Sequence, residues 1–382
     1  MQIESKLPRV GTTIFTVMSQ LAAQHGAVNL GQGFPDFDGP PQLREALARA
    51  MSEGRNQYAP MPGIVPLREA IARKVARCYG VAVDPASSIT VTSGATEAIF
   101  AAIAAVVSTG DEVIVLDPCY DCYEPAIDLS GGRAVHVPLR ERGFAIDWEH
   151  VAAAVTPRTR LIMVNSPHNP TGAVIDRSDL DALAALAEKH DLLVLSDEVY
   201  EHIIFDGVTH ASALTHPALA ARTFVVSSFG KTYHCTGWKV GYCIAPPALT
   251  AEFRKVHQYL TFCTFTPAQY AFAEVLDTLP AHDQELPAFY AAKRDRFRAL
   301  LADSRFELPP VPGGYFQLAD YSAISGQGDR EFCEWLTREV GVAAIPLSAF
   351  YAAPPIQQRL VRFCFAKSDA TLEAAAEKLC AI

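Results

Sequence analysis

No stretch of the sequence is apolar for long enough to cross a membrane. The longest purely apolar run, Ala98 to Val107, is about half of the roughly 20 residues that a spanning helix needs. Near the N-terminus, Glu4 and Lys6 fall where a secretory signal would need its apolar core. Blocks of basic charge are missing as well: 42 Asp and Glu outweigh 32 Lys and Arg, for a formal charge of -10. Neither nucleic acid nor a membrane is therefore expected as a partner. Metal motifs are short of ligands. Cys119 and Cys122 in "PCYDCY" have C-x-x-C spacing, but no second pair and no H-E-x-x-H accompanies them. They read as packing cysteines, and no metal is expected. The nine cysteines are scattered and odd in number, which suits reduced thiols in a cytoplasmic protein better than a disulfide framework. Internal repeats and low-complexity linkers are also lacking.

What is present is apolar content. Half of the residues are hydrophobic and 19% are charged, the composition of a chain with a substantial buried core. A length of 382 residues suits one large and one smaller domain. Short apolar runs recur through the middle: "SSITVTSG" (87–94), "DEVIVLDP" (111–118), "RLIMVNSP" (160–167), "LLVLSDE" (192–198) and "TFVVSSFG" (223–230). Helix-period segments lie between several of them, such as "ATEAIFAAIAAVV" (95–107) and "SDLDALAALAEKH" (178–190), the second with Ser178 and Asp181 as a capping box. Runs buried on both faces and alternating with helices predict an α/β domain around a mostly parallel sheet. After about residue 270, helices mix with short strands, among them the alternating "RLVRFCFA" (359–366). This predicts a smaller α+β domain over 271–382, with residues 1–40 joined to it and the large domain over 41–270.

Ligands of open α/β sheets gather at the carboxyl ends of the strands, and there the chemically useful residues cluster. The apolar runs end in Ser93-Gly94-Ala95-Thr96, Asp117-Pro118-Cys119-Tyr120, Asn165-Ser166-Pro167-His168-Asn169, Asp197-Glu198-Val199-Tyr200 and Ser227-Ser228-Phe229-Gly230-Lys231. Lys231 sits in a Gly-Lys-Thr triplet. A nucleotide-binding P-loop would require glycine where Val225 stands, inside an apolar run. An ordinary turn with a solvated lysine is the bland alternative. The third reading is a lysine that attacks the carbonyl of a cofactor such as pyridoxal phosphate, which needs a carboxylate to keep its ring nitrogen protonated. Asp197 can supply that, Tyr200 and Asn169 can face the ring hydroxyl, and Gly94-Ala95-Thr96 opens a helix suited to a phosphate, with Ser228 and Lys239 beside it. Each has a structural alternative: Asp197 and Thr96 as caps, Tyr200 in the core, Asn169 in a turn before Pro170. Their joint placement around one lysine favours the cofactor.

The blocks "TSGATEA", "NSPHNPTG", "SDEVYEH" and "SSFGKTYHCTGWKVG" resemble, in order and spacing, the signatures of class I/II pyridoxal-phosphate aminotransferases of fold type I. The likeness runs nearly end to end, from "NLGQGFPDFDGP" to "LVRFCFAK". "GQGFPDF" and "DCYEP" resemble the branch holding kynurenine–glutamine transaminases and bacterial methionine aminotransferases. The resemblance implies that Lys231 carries pyridoxal 5'-phosphate and shuttles the proton, that Asp197 pairs with the ring nitrogen, and that Tyr200 and Asn169 face the ring hydroxyl. It places Tyr120 on the ring face, gives the phosphate to Gly94, Ala95, Thr96, Ser228 and Lys239, and brings Tyr58 from a second subunit of a homodimer. Arg362 would clamp the substrate carboxylate, with Gly33, Phe34 and Asn169 beside the substrate. The chain departs from the family at His168, where asparagine is frequent, and at Gly230, where serine is frequent. The expected activity is transfer of the amino group of methionine, glutamine or aromatic amino acids to a 2-oxo acid. A β-lyase acting on sulfur amino acids would use the same cofactor residues. A cofactor-binding regulator would need an added DNA-binding module, and about 30 residues precede "GQGFPDF" in an acidic chain, so that reading is not expected.

Overall fold

The computed structural model describes residues 4–382, so positions 1–3 of the predicted N-terminal segment lie outside the described residues. Strand β1 (Val28–Asn29) is followed by β2 (Ile89–Thr92), β3 (Glu112–Asp117), β4 (Arg133–Pro138), β5 (Thr159–Asn165), β6 (Leu193–Asp197), β7 (Thr223–Ser228) and β8 (Gly241–Ile244). Strands β2 to β8 form one seven-stranded sheet in the order β2-β8-β7-β6-β5-β3-β4. Within it β8 runs against both of its neighbours while the other pairings are parallel.

The apolar runs explain this sheet. Successive side chains of a strand point to opposite faces, and here both faces are covered. Ile162, Val164, Val194 and Val225 enter one core, whereas Leu161, Met163, Leu195, Phe224 and Val226 enter the other. The helix Gly94–Val106 packs over β7 and β8. The helix Arg177–His190 departs from the expected start. Its capping box joins Asp176 and Asp179, not Ser178 and Asp181, because the first turn begins at Arg177. Ser178 then lies inside that turn, and its hydroxyl donates to Asp176 instead of capping an amide.

The C-terminal portion adds β9 (Phe316–Asp320), β10 (Val342–Ala343), β11 (Ile345–Pro346) and β12 (Leu360–Cys364). Strand β12 lies between β11 and β9, antiparallel to both. Pairing of Val28 with Val342 and of Asn29 with Ala343 ties β1 to this portion. Residue 270, the expected boundary, falls inside the helix Thr266–Thr278, which packs as one piece against the helices Pro41–Ser52 and Val65–Tyr79. Among the described residues no helix is long and apolar enough to cross a membrane.

Candidate active site

Strands β5, β6 and β7 are adjacent and parallel, so their carboxyl ends reach one edge of the sheet together. Register sets Asn165 beside Asp197 and Asp197 beside Val226, two residues before Ser228. A cavity of about 310 Å³ opens over this edge. Asp197, Asn169, Tyr200, Ser228, Lys231 and Lys239 line it, as do Gly94, Ala95, Thr96 and Tyr120; Gly33, Phe34 and Arg362 close its far end. Of the residues expected at the site, Tyr58 alone lies outside this lining. It is 83% exposed and packs edge-on against Phe262, with ring centroids 5.3 Å apart.

Asp197 ends β6 and is 4% exposed. The Tyr123 hydroxyl donates to its Oδ2 at 2.7 Å and the Val199 amide to its Oδ1 at 3.3 Å. Burial pushes the carboxyl up to about 6, against the pull of these donors and of Lys231. A carboxylate held dry with two donors lacks a full positive partner, and a protonated ring nitrogen would be one.

Lys231 lies in the single turn Phe229–Thr232 that leaves β7. Its Nζ donates to the Tyr315 hydroxyl at 3.1 Å and to the Gly33 carbonyl at 3.4 Å, while Tyr315 itself donates to Gly33 O at 2.7 Å. Burial pulls the ammonium down to about 8, and the charges of Arg362 and Lys239 act in the same direction. An amine with that proton affinity keeps about a tenth of its population neutral at pH 7, far more than an ordinary lysine, as a nucleophile and proton carrier needs. Gly230 allows the close approach of Thr236: a Cβ there would lie 2.9 Å from Thr236 Cα, so a serine at this position does not fit without movement.

Gly94 starts its helix at a φ of 77°, and no side chain caps that start. A Cβ on Gly94 would lie 3.4 Å from Lys239 Nζ, which fixes how closely the lysine approaches the free amides. An uncapped helix start with an ammonium and the Ser228 hydroxyl nearby fits a phosphate.

At the opposite end Arg362, 1% exposed, projects from β12. Its Nη1 donates to Asn169 Oδ1 at 2.6 Å and its Nη2 to Gly31 O at 2.9 Å. The guanidinium lies 3.9 Å over the Phe316 ring, and Nε has no hydrogen-bond partner among the described residues. A dry guanidinium with a spare donor fits a carboxylate. His168, the other departure, turns away from this cavity. Its Nδ1 meets Thr171 Oγ1 at 2.7 Å, and burial pulls the imidazole down to about 4, leaving it neutral.

Sequence reasoning missed the residues that hold these groups in place. Asn165 receives the Asn169 amide on Oδ1 at 2.8 Å and donates Nδ2 to the Asp197 carbonyl at 2.8 Å. It ends β5 inside the quoted "NSPHNPTG", so its position was a usable signal. Tyr123 stands within "DCYEP", and Tyr315 follows the Pro/Gly-rich "LPPVPGG". No local pattern links either to a residue far along the chain.

The paired demands of this cavity, a carbonyl compound with an anionic tail at one end and a carboxylate at the other, are those of amino-group transfer. Residues 25–379 match the family described as aminotransferase class I and II, and the chain belongs to that family: it is an aminotransferase. Members of the family use pyridoxal phosphate. Among individual relatives, methionine aminotransferase of Escherichia coli is 57% identical over 98% of this chain and 97% of its own length. Human kynurenine–oxoglutarate transaminase 1 is 35% identical over 94% and 93%. The solved structure of an Escherichia coli protein with a methionine aminotransferase function matches all of both chains with a TM-score of 0.98 at 56% identity. That of N-succinyldiaminopimelate aminotransferase from Mycobacterium tuberculosis, 45% identical, matches all of both with a TM-score of 0.96.

Proposed function

We propose that this aminotransferase binds pyridoxal 5'-phosphate at Lys231 and takes methionine, glutamine or aromatic amino acids as amino donors, with 2-oxo acids as acceptors. When bound, the cofactor supplies an electron sink for the pair left at the substrate Cα and a carbon that carries the amino group between substrates. Arg362 binds the α-carboxylate and Asn169 keeps the guanidinium aimed. Lys231, with its proton affinity lowered, would take the proton from the substrate Cα. Asp197 would hold a proton on the ring nitrogen of the cofactor. Tyr200 and Asn169 would hold its ring hydroxyl, Tyr120 its ring, and Gly94, Ala95, Thr96, Ser228 and Lys239 its phosphate.

One observation carries the substrate reading. Among the described residues lining the cavity, Arg362 is the one guanidinium, Phe15 and Phe316 pack against it, and Phe34, Ile99 and Tyr120 add apolar surface to the same lining. An apolar wall excludes water and takes a thioether or an aromatic ring, whereas a second carboxylate would go unpaired. The 57% identical relative named for methionine supports the same reading. The 45% identical relative named for N-succinyldiaminopimelate sets the competing case of a substrate with an added acidic arm.

A half-reaction screen of amino acids against the holoenzyme tests this: methionine, glutamine and aromatic amino acids convert, and faster conversion of aspartate or glutamate overturns it. Release of pyruvate and ammonium without an acceptor would identify β-lyase chemistry instead. The cofactor reading is tested by absorbance, since the band formed on adding pyridoxal phosphate must vanish in Lys231→Ala.

The proposal includes a homodimer, because Tyr58 reaches a cavity only if a second copy presents it; light scattering on a fully active monomer would remove that role. It also includes a cofactor-holding portion over 41–270, and a smaller one over 271–382 to which 1–40 attaches, supported by the β1–β10 pairing. A cytoplasmic setting accords with nine free cysteines.

A further inference from the structure

On another face of the molecule, a cleft of about 560 Å³ is lined by Cys78, His202, His210 and Asp283. Three elements meet there. Cys78 lies near the end of the helix Val65–Tyr79, His202 follows β6, and Asp283 lies in the first turn of the helix His282–Leu300. One ligand atom from each of Cys78, His202 and Asp283 falls within 4.8 Å of the other two. The Cys78 Sγ to Asp283 Oδ2 distance is 3.6 Å.

The cluster is polar, half-buried at Cys78 and His202 and buried at Asp283, and incompletely satisfied. His202 Nε2 and Asp283 Oδ1 are buried atoms with no hydrogen-bond partner among the described residues, and their side chains are 10% and 6% exposed. Glu201 Oε1, 3.8 Å from His202 Nε2, is too far to hydrogen bond. Buried polar atoms are costly to leave unpaired, so their convergence on one thiol calls for a partner. The neighbouring cations do not supply it. Lys74 Nζ is bound to Glu201 Oε2 at 2.5 Å, and Arg77 Nη2 to Asp283 Oδ2 at 2.5 Å; Oδ1 remains free. Both cations are thus already matched by carboxylates, and Asp283 Oδ1 and His202 Nε2 stay unpaired beside the thiol.

The geometry points to a divalent metal site of the zinc class at Cys78, His202 and Asp283, separate from the aminotransferase cavity. A thiolate, an imidazole and a carboxylate are the ligand types that zinc selects, and three protein ligands leave a fourth position to water from the cleft. With zinc–sulfur bonds of about 2.3 Å and zinc–nitrogen bonds of about 2.0 Å, a tetrahedral set spans roughly 3.5 Å between ligand atoms. Cys78 Sγ and Asp283 Oδ2, 3.6 Å apart, already have that spacing, and all three ligand atoms lie within 4.8 Å of one another.

The test uses holoenzyme freed of metals with a chelator, then titrated with zinc chloride by calorimetry and with cobalt chloride by visible absorbance beyond the cofactor band. The expected result is one equivalent per chain and tetrahedral cobalt bands. Cys78→Ser and His202→Gln each weaken uptake at least tenfold, while Lys231→Ala leaves it unchanged. Asp283→Asn, which keeps the side-chain shape, decides the matter if Cys78→Ser does not fold. No uptake by the wild type, or equal uptake by folded Cys78, His202 or Asp283 variants, overturns the site.

Discussion

Arg362 Nη1 donates to Asn169 Oδ1 at 2.6 Å, so the residue expected to meet the substrate carboxylate is aimed by a residue 193 positions earlier in the chain. Arg362→Lys keeps the charge but loses the planar fork. It lowers kcat/KM for the amino donor by about a hundredfold, roughly 3 kcal/mol of charged hydrogen bonding, mostly through KM. Steady-state kinetics with methionine check this, and an unchanged KM contradicts it.

Lys231, held near 8 by burial, reacts as the free amine. Below that pH the neutral fraction falls about tenfold per unit. The rate at which the apoenzyme captures pyridoxal phosphate therefore climbs with pH and levels off above about 8. Stopped-flow absorbance across this range reads the profile. A plateau reached only near the ordinary lysine value means that burial does not tune the amine.

Tyr315 accepts a hydrogen bond from the Lys231 ammonium at 3.1 Å, which favours the charged form. In Tyr315→Phe that support is gone, and the onset of capture moves to lower pH by up to about one unit. A loss of kcat by about tenfold with little change in KM accompanies it, since the phenol touches the lysine and the Gly33 carbonyl and makes no hydrogen bond to Arg362. A change in KM alone would instead assign Tyr315 to packing.

Asp197 links function to stability. Its folded proton affinity is raised to about 6 from an ordinary 3.8, so the group favours the fold below about pH 4. That contribution is lost as pH rises through 6 and stays lost above. A difference of about two units corresponds to ~3 kcal/mol. Asp197→Asn removes the buried charge, and the apoprotein variant melts higher than wild type at pH 7 to 8 while transamination is lost. Thermal melts against pH give the comparison, and equal slopes between pH 4 and 6 refute it.

Gly230→Ser adds a Cβ that would sit 2.9 Å from Thr236 Cα. Overpacking against backbone costs about 1 to 3 kcal/mol. The variant shows a lower denaturant midpoint and no gain in cofactor affinity. An unchanged midpoint would falsify the packing argument.

The parallel sheet was legible because its strands are short apolar runs whose two faces are both buried, and burial on both faces leaves no alternation to misread. Lys231, Asp197, Asn169 and Ser228 were legible because strand ends of such a sheet converge by topology alone. The helix start at Arg177 was not: "DRSD" and "SDLD" both carry plausible cap spacings, and the choice depends on where Leu180 and Leu183 meet the core. Tyr123, Tyr315 and the Cys78–His202–Asp283 cluster were illegible for a different reason. Each contact joins elements far apart in sequence, and no local period or propensity encodes it.

The sequence by itself determined the alternation of strand and helix, the family, and the residue types gathered at the strand ends, because hydrophobic period and backbone chemistry act locally. Only the tertiary structure decided how dry those residues are and what they touch. Burial depends on the whole packed chain, and burial is what draws Lys231 to about 8 and Asp197 to about 6 and leaves Arg362 Nε without a partner among the described residues.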